Sequence, residues 1–350
     1  MKTIAYLTYG AKREYQLELT YSVLSAQHHL AKDPSGIRIV LVTTESNVRN
    51  DLPVEHLVVT QQQLREWQEG GYGHAAKYWA LLAVMDRFQG AVAFVDTDTQ
   101  FLHHPQRMFD RVGPNMSVMQ ADEGVLAQHT YWQPLLDKLD GPVHGYNVHA
   151  GSRMFNSGVI GVDYSMRSCM PEVLQLMSLY EIAPVFDIEQ FAFTAVLEKH
   201  GKLSACPDVV KHYWGHERRF FHLQINALFP EFNREQFNSH VEAFPPAGYP
   251  PKSMVARIKA KIKRLQRDGG RDYEFAYLAY LCALSSEDAG SANVWADIAL
   301  DALRGISSPP LDAMRIDFRM VGPASLASLS WMSLETRERW QGFWRALPSH

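Results

Sequence analysis

The chain has 350 residues, of which 46% are hydrophobic and 21% charged, and its formal net charge is −4 at pH 7. This composition is typical of a globular protein with room for one large domain and a smaller one, and it excludes a globally basic nucleic-acid binder. Three widely spaced cysteines, Cys169, Cys206 and Cys282, imply neither a disulfide framework nor a zinc cluster. We therefore expect a cytoplasmic protein that binds no nucleic acid.

The first part of the chain alternates short apolar segments with longer helical patterns. Strands are predicted at Thr3–Thr8, Ile37–Thr43, His56–Thr60 and Ala91–Val95. Helices are predicted between them at about Arg13–Leu30 and His74–Phe88. This alternation predicts an α/β fold, with a mostly parallel sheet flanked by helices.

The pattern is less regular after this point. Further strands are predicted at Met116–Gln120, within Phe155–Asp163 and at Lys202–Cys206. Further helices are predicted at Thr130–Leu139, Pro171–Tyr180 and Ile188–His200. The segment Lys211–Phe221 is polar and aromatic without a clear period, which is typical of a loop that forms a site.

Prolines and aromatic residues accumulate between residues 229 and 251, and the sequence after them has almost entirely helical patterns. Helices are predicted there at Ser253–Asp268, Tyr273–Leu284, Ala292–Leu303 and Leu334–Leu347. We therefore expect a first domain at residues 1–228, a linker at 229–251 and a C-terminal α-helical domain at 252–350.

The strand Ala91–Val95 ends in two carboxylates one residue apart, Asp96 and Asp98. Because a buried strand does not tolerate unpaired charge, both should lie where the strand leaves the sheet, at the edge where α/β sheets bind ligands. Two carboxylates at such an edge suit Mg²⁺ or Mn²⁺ shared with substrate phosphates. They could also be two solvated turn residues.

The same four residues, Asp96 to Thr99, fit another class of enzyme. In phosphohydrolases of the haloacid-dehalogenase type, a strand ends in a similar Asp-x-Asp, whose first aspartate accepts a phosphoryl group. Here Thr99 replaces the usual glycine, and the later Gly-Asp-x-x-x-Asp that would complete the metal site is absent from the sequence. This alternative would make Asp96 a nucleophile.

Three later segments follow the Asp-x-Asp strand in a recognisable order. They are Asn156-Ser157-Gly158, Asp187-Ile188-Glu189-Gln190, and His212-x-x-Gly215-x-x-Arg218. In this order they resemble glycosyltransferases of the GT-A fold, which is Rossmann-like. The likeness is greatest to the retaining family that contains glycogenin and bacterial lipopolysaccharide galactosyltransferases. It covers the chain as far as the His-x-x-Gly segment.

The resemblance implies a metal-dependent enzyme that transfers a sugar from a nucleotide-diphosphate donor, with UDP as the expected nucleotide. The acceptor would be a glycan, a lipid-linked glycan or a protein, and retention of configuration is expected ahead of inversion. A catalytically silent protein that binds the nucleotide sugar is the alternative from another class.

The resemblance also implies a role for each matching residue. Asp96, Asp98 and His212 would hold Mn²⁺ or Mg²⁺, and Arg218 would contact the donor diphosphate. Lys77 and Gly215 would also contact the donor. Thr8, Tyr9 and Gly10 would meet the nucleoside, and Asp96, Asn156 and Ser157 would contact the rest of the donor. Asp187, Glu189 and Gln190 would face the reacting sugar, and in an inverting enzyme Asp187 or Glu189 would be the base. Relatives usually carry arginine where Lys77 stands and lysine where Arg218 stands.

The segment Lys252–Arg267 contains seven cations and no acidic residue. The net charge of the remaining residues is therefore more negative than that of the whole chain. At helical spacing its large apolar residues fall on one stripe: Met254, Val255, Ile258, Ile262 and Leu265. Two interpretations stay open. The helix could lie on an anionic membrane surface, which would make the protein peripheral on the inner face, or its stripe could pack on the catalytic domain.

Overall fold

The computed structural model describes residues 1–10, 12–31, 33, 35–68, 72–139, 141–228, 250, 252–267, 270–306, 314, 316–318 and 329–346. Of these, Met1–Tyr213 form one compact unit, and Trp214–Ala227 group with the described residues from 252 onward in a second. The expected linker 229–251 lies, apart from Pro250, outside the described residues. The predicted domain bounds 1–228 and 252–350 therefore stay predictions.

The first unit contains both strands and helices. Its strands are β1 (Lys2–Thr8), β2 (Ile37–Thr44), β3 (Glu55–Val59), β4 (Ala91–Val95), β5 (Thr99–Phe101), β6 (Met116–Met119), β7 (Asp122–Val125), β8 (Arg153–Phe155), β9 (Val159–Val162), β10 (Lys202–Ala205) and β11 (Val210–His212). Its α-helices are α1 (Arg13–Leu30), α2 (Gln61–Glu66), α3 (Ala75–Phe88), α4 (Gln106–Phe109), α5 (Gln133–Leu136), α6 (Met170–Met177), α7 (Leu179–Ile182) and α8 (Ile188–His200). Short 3₁₀ helices occur at Glu45–Asn47, Leu126–Gln128, Thr130–Trp132 and Tyr164–Cys169.

A seven-stranded mixed sheet, in the order β10-β6-β9-β4-β1-β2-β3, forms the centre of this unit. β1 is parallel to β2 and β4, β2 to β3, and β6 to β10, while β9 is antiparallel to both of its neighbours. Alternate side chains of β1 enter different cores, with Ala5 on one side and Ile4 and Tyr6 on the other, as the two-residue period of a strand requires. The predicted α/β class with a mostly parallel sheet is confirmed.

Strand direction brings several loops to one edge of this sheet. β1, β4 and β6 all point the same way, so their carboxyl ends meet there. β9 runs the opposite way, so the turn before it lies at the same edge. Helices α3 and α8 lead into β4 and β10, and each therefore begins at that edge.

Most of the predicted strands and helices of this unit are present, but the loop expected at Lys211–Phe221 is wrong. That segment contains the end of β11 and the first turns of a helix that begins at His216. β11 forms by antiparallel pairing with β5, in the register Val210↔Phe101 to His212↔Thr99. A three-residue strand held by a distant partner has too few residues to show a periodic pattern.

Two predicted helices are each divided. Thr130–Leu139 contains a 3₁₀ turn at Thr130–Trp132 and then the short α5. Pro134 lies in the first turn of α5, where a backbone N–H would have no partner within the helix. A proline inside a longer helix would break it, so the α-helix does not extend back through Thr130–Trp132. Pro171–Tyr180 is divided between α6 and α7.

The described part of the second unit is helical, as expected for the C-terminal part of the chain. Its helices are α9 (His216–Leu228), α10 (Met254–Arg267), α11 (Gly270–Ser285), α12 (Ala289–Arg304) and α13 (Leu334–Ala346). Their core contains large buried aromatic residues, among them Tyr273, Trp295, Phe318 and Trp340. Within the described ranges, none of the helices is both long enough and apolar enough to cross a membrane.

Helix α10 is held to this unit by a buried carboxylate. The side chain of Asp317 is 1% exposed and lies 2.7 Å from Lys263 Nζ and 3.0 Å from Arg267 Nε. The hydroxyl of Tyr273 also donates to it, at 2.8 Å. Burial alone would raise the pKa of Asp317, but the hydrogen bonds from Arg267, Lys263 and Tyr273 outweigh it and lower the pKa to about 2.

We expect Asp317→Asn to lower the free energy of unfolding of the second unit by about 1.5 kcal/mol at pH 7, because it removes the charge from the hydrogen bonds that Lys263, Arg267 and Tyr273 donate, while the two cations remain partly exposed to water. The stability that Asp317 contributes is present above the ordinary aspartate pKa and is lost as the pH falls towards 2. Urea denaturation of the intact chain at pH 7 and at pH 3 measures both effects. Asp272→Asn, at an exposed position on α11, is the control. A variant as stable as the parent at pH 7 would contradict this account.

Candidate active site

The Asp-x-Asp turn begins where β4 leaves the sheet. The N–H of Asp96 donates to the carbonyl of Gly158 at 2.9 Å, and the hydroxyl of Thr99 donates back to the carbonyl of Asp96 at 2.8 Å. These bonds close the turn and hold it against the segment before β9. Asp98 is buried, and Asp96 is half-buried.

Strand β11 brings a histidine to this turn. His212 pairs with Thr99, the first residue of β5. Its Nε2 lies 3.2 Å from Asp98 Oδ1 and 3.9 Å from Asp96 Oδ2. Each of the three side chains offers one potential ligand atom, and these three atoms all lie within 4.8 Å of one another. Among the described residues, Asp96, Asp98 and His212 form a group that could hold a metal ion. We call it the Asp-Asp-His cluster.

The hydrogen bonds of Asn156 determine which nitrogen of His212 faces the aspartates. Asn156 Oδ1 accepts from the N–H of Gly158 at 2.9 Å, and Asn156 Nδ2 donates to Glu123 at 2.8 Å. His212 Nδ1 is 2.7 Å from the same Oδ1 and therefore carries the hydrogen. Nε2 then faces two carboxylates, and in the neutral ring its lone pair would join their oxygens in an arrangement of three donor atoms that suits a divalent cation.

Lys77 supplies the positive charge beside the cluster. It lies in the first turn of α3, and its Nζ is 2.9 Å from Asp96 Oδ2 and 3.0 Å from Ser157 Oγ. Glu189 is 3.7 Å away. Burial alone would lower the pKa of Lys77, but the carboxylates of Asp96, Glu189 and Asp98 outweigh it and raise the pKa. Lys77 therefore stays charged and joins the Asp-x-Asp turn to the Asn-Ser-Gly turn.

Glu189 lies in the first turn of α8 and is surrounded by donors. Ser157 Oγ donates to it at 3.0 Å, and the hydroxyl of Tyr72 donates to its other oxygen. The neighbouring Gln190 accepts from the N–H of Ser157 at 3.0 Å. The amino end of a helix also stabilises a carboxylate. Glu189 is therefore fixed in position, facing the Asn-Ser-Gly turn.

Asp187, just before α8, has donors on both oxygens. Tyr131 donates its hydroxyl to Oδ2 at 2.6 Å, and Trp132 donates its indole N–H to Oδ1 at 3.0 Å. Desolvation by burial nevertheless raises the pKa of this carboxyl. The structure thus places Asp187, Glu189 and Gln190 in one network of hydrogen bonds, as the sequence predicts for neighbouring site residues.

The remaining predicted residues lie in two places. Thr8 is the last residue of β1, the parallel neighbour of β4, and Tyr9 and Gly10 follow it, with Gly10 at a φ of +83°. Gln16 Nε2 donates to Thr8 Oγ1 at 3.4 Å and to the carbonyl oxygen of Gly10 at 3.3 Å. Gly215, with a φ of +65°, and Arg218, in the first turn of α9, belong to the second unit.

Sequence reasoning missed several members of the network. Glu123, on β7, accepts a hydrogen bond from Asn156 Nδ2, and its other carboxylate oxygen accepts one from Gln190 Nε2 at 3.4 Å. It follows the buried strand β6 as Asp96 follows β4, so a carboxylate after a buried strand is a signal that could have found it. Tyr72 and Trp132 contact the acidic residues only through the fold, and no local pattern marks them.

No family model matches the chain. No curated protein matches it either. Similar solved structures include the galactosyltransferase LgtC in complex with donor and acceptor sugar analogues, at 15% identity and a TM-score of 0.44, over 70% of this chain and 97% of that one. Mouse xyloside xylosyltransferase 1 in its apo form is similar at 14% identity and a TM-score of 0.40, over 58% of this chain and 83% of that one. An active-site mutant of LgtC is similar at 16% identity and a TM-score of 0.40, over 58% of this chain and 72% of that one.

We expect Gly158→Ala to weaken Mn²⁺ binding by at least about tenfold, because a Cβ at this position would lie 2.3 Å from His212 Nδ1 and would push the ring out of the cluster. Calorimetric titration of the intact chain with Mn²⁺ measures the effect. Gly113→Ala is the matched control, since a Cβ there meets no atom within 4 Å. Equal Mn²⁺ affinity in the two variants would show that the position of His212 does not matter.

The raised pKa of Asp187 predicts a pH-dependent difference between the parent and Asp187→Asn. A carboxyl whose folded pKa lies above its unfolded value contributes stability at low pH and loses it as the pH rises through the folded pKa. The variant should therefore gain thermal stability relative to the parent as the pH is raised from about 4 to 7. Thermal unfolding across this range tests it, and a difference that moves the other way would contradict the burial of a charge here.

Proposed function

We propose that the chain is a metal-dependent glycosyltransferase that uses a nucleotide-diphosphate sugar as its donor, with UDP as the nucleotide. One observation carries the proposal. The Asp-Asp-His cluster lies at the carboxyl edge of the sheet, beside a buried cation and a hydrogen-bonded network of carboxylate and amide groups. This combination suits a ligand that is anionic at one end and rich in hydroxyls at the other.

Electrostatics supports the need for a cation. The pocket contains Asp96, Asp98, Glu123, Asp187 and Glu189, against the ammonium of Lys77. A diphosphate would be repelled by these carboxylates, and a divalent cation reverses the local charge. Mn²⁺ or Mg²⁺ would be held by Asp96, Asp98 and His212. When bound, such an ion acts as a Lewis acid that stabilises the negative charge of a leaving diphosphate.

The other residues have roles that follow from their contacts. Lys77 holds Asp96 and Ser157 in place and adds positive charge on the diphosphate side. Thr8, Tyr9 and Gly10 would bind the nucleoside, at the end of the strand beside β4. Gly215 and Arg218 belong to the second unit, and the donor contact that the resemblance implies for them stays a prediction.

The donor sugar would lie against the Asn-Ser-Gly turn. Asn156, Ser157, Glu123 and Gln190 offer amide, hydroxyl and carboxylate groups to its hydroxyls, and each is fixed by the others. Groups that are already held in place lose little freedom when a ligand binds. This pre-organisation supports specific binding of one sugar.

We propose that the reaction retains configuration. An inverting enzyme needs a carboxylate that is available to take a proton from the acceptor. Both oxygens of Asp187 already accept hydrogen bonds, from Tyr131 and Trp132, and Glu189 is engaged by Tyr72 and Ser157. These contacts favour positioning roles for the two carboxylates. The acceptor would be a glycan, a lipid-linked glycan or a protein.

We place the reaction in the cytoplasm. Cys169, Cys206 and Cys282 are all free and buried, and desolvation raises the pKa of each thiol. Free thiols are typical of a reducing compartment.

Two alternatives predict other outcomes. A phosphohydrolase would need Asp96 as a nucleophile and further acidic ligands, whereas the structure joins Asp96 to Lys77 and supplies His212. This alternative is not favoured. A silent binding protein would use the same pocket and leave the donor intact.

Calorimetric titration with UDP in the presence and absence of Mn²⁺ tests the proposal. We expect the intact chain to bind UDP only with the metal, and Asp98→Ala to weaken that binding by about a hundredfold, because it removes a buried ligand. Asp110→Ala, at an exposed carboxylate on the same unit, is the control. Absence of UDP binding by the parent, or equal binding by Asp98→Ala, would contradict the proposal.

A panel of common nucleotide sugars, each incubated with the protein and Mn²⁺, separates the alternatives. A transferase should release the nucleoside diphosphate from one or a few donors, by slow hydrolysis or by transfer to an added acceptor. Release of inorganic phosphate from a phosphomonoester would support the phosphohydrolase. Binding without consumption of any donor, across a broad panel of acceptors, would support the silent protein.

A further inference from the structure

We infer that helix α10 is a membrane-surface helix, which lays its apolar stripe on the headgroup region of an anionic lipid bilayer. The apolar stripe comprises Met254, Val255, Ile258, Ile262 and Leu265. The inference is independent of the sugar-transfer proposal, since it depends on the second unit and on none of the residues of the Asp-Asp-His cluster.

The apolar stripe is exposed although it is the most hydrophobic face of the helix. Its five side chains are between 47% and 76% exposed. The buried residues of α10 are instead Ala256 and Ala260. Within the second unit, the stripe is therefore not the face through which α10 packs.

The geometry of the helix sets the stripe opposite the packing face. At about 100° per residue, the five stripe residues fall within an arc of about 100°. Ala256 and Ala260 lie on the far side of the helix from the centre of that arc. A helix fixed along its alanines thus presents the stripe outward.

Cations border the stripe on both sides. Lys261 and Arg257 follow it on one side and Lys259 on the other, and all three are exposed. A helix that lies in the plane of a bilayer places its apolar residues at the acyl boundary and its Lys and Arg residues at the level of the phosphates. The arrangement on α10 matches both requirements.

The remaining cations of the helix are used inside the second unit. Lys263 and Arg267 pair with the buried Asp317, and Arg264 is 2.7 Å from Glu274. These ion pairs hold the inner face and so fix the rotation of α10 about its axis. The fold thereby aims the apolar stripe and its bordering cations outward together.

The charge of the segment decides between a bilayer and other occupants. Lys252–Arg267 has no acidic residue, so two copies facing each other through their stripes would bring like charges together. A nucleic acid would engage the cations but gain nothing from five exposed apolar side chains. An anionic bilayer engages both the cations and the apolar side chains.

Sedimentation with vesicles tests the inference on the intact chain. We expect the protein to sediment with vesicles of 70% phosphatidylcholine and 30% phosphatidylglycerol, to stay in the supernatant with pure phosphatidylcholine, and to be released when salt is raised. Equal recovery in the supernatant with both vesicles would overturn it.

Two variants separate the parts of the surface. Ile258→Ser with Ile262→Ser should reduce binding at least tenfold through the lost apolar contact, and Lys259→Gln with Lys261→Gln should reduce it by more than tenfold through the lost charge. Arg304→Gln with Arg345→Gln removes two cations elsewhere on the second unit and is the matched control. Because the changed residues of the stripe are exposed, thermal unfolding of each variant should match the parent.

The control and the molar mass give the outcomes that would overturn the inference. If the control pair reduces vesicle binding as much as the α10 cations do, binding follows net charge and not this helix. If light scattering shows a dimer that the Ile258→Ser, Ile262→Ser variant abolishes while vesicle binding is absent, the stripe is covered by a second copy. If the intact chain binds an acidic protein but does not bind the anionic vesicles, the stripe is a protein-binding surface and the inference is overturned.

Discussion

The balance of charge at the carboxyl end of β4 is the constraint on which the rest of the site depends. A strand buried on both faces delivers Asp96 and Asp98 to the sheet edge, where their charge must be compensated. Lys77 compensates one side of Asp96. On the other side His212 Nε2 faces both aspartates, so these three side chains together could hold a cation. Other residues of the site hold these groups in place.

The neighbouring turns show how the fold meets this constraint. Asn156 fixes the tautomer of His212, and Gly158 accepts the Asp96 N–H while leaving space for the histidine ring. The network continues through Ser157 to Glu189, so that the Asp-Asp-His cluster and the carboxylate at the start of α8 share one set of hydrogen bonds. A change at either side should therefore affect the other.

Local pattern predicted the elements that carry the site, but the fold determined which of their side chains meet. The strand before Asp96 and the helix that carries Lys77 follow from apolar spacing. The pairing of β5 with β11, which positions His212, depends on partners more than a hundred residues apart and has no local signal. Trp132 and Tyr72 reach Asp187 and Glu189 for the same reason.

Helix α10 is a second case in which the local sequence predicts an element but not the contacts of its side chains. Its apolar stripe was evident from spacing, but the choice of packing face was not. Two alanines and the buried Asp317 hold α10, and large apolar residues point away. Small residues allow close helix contact, and ion pairs to a buried carboxylate add to it, so the most hydrophobic face need not be the buried one.

Anomalous diffraction at the manganese edge, from crystals grown with Mn²⁺ and UDP, shows directly whether the Asp-Asp-His cluster binds the metal of a nucleotide complex. We expect a peak within bonding distance of Asp96, Asp98 and His212, with the diphosphate of UDP on the same ion. A peak at Glu123, Asp187 or Glu189 instead, or UDP bound without metal at the cluster, would contradict it.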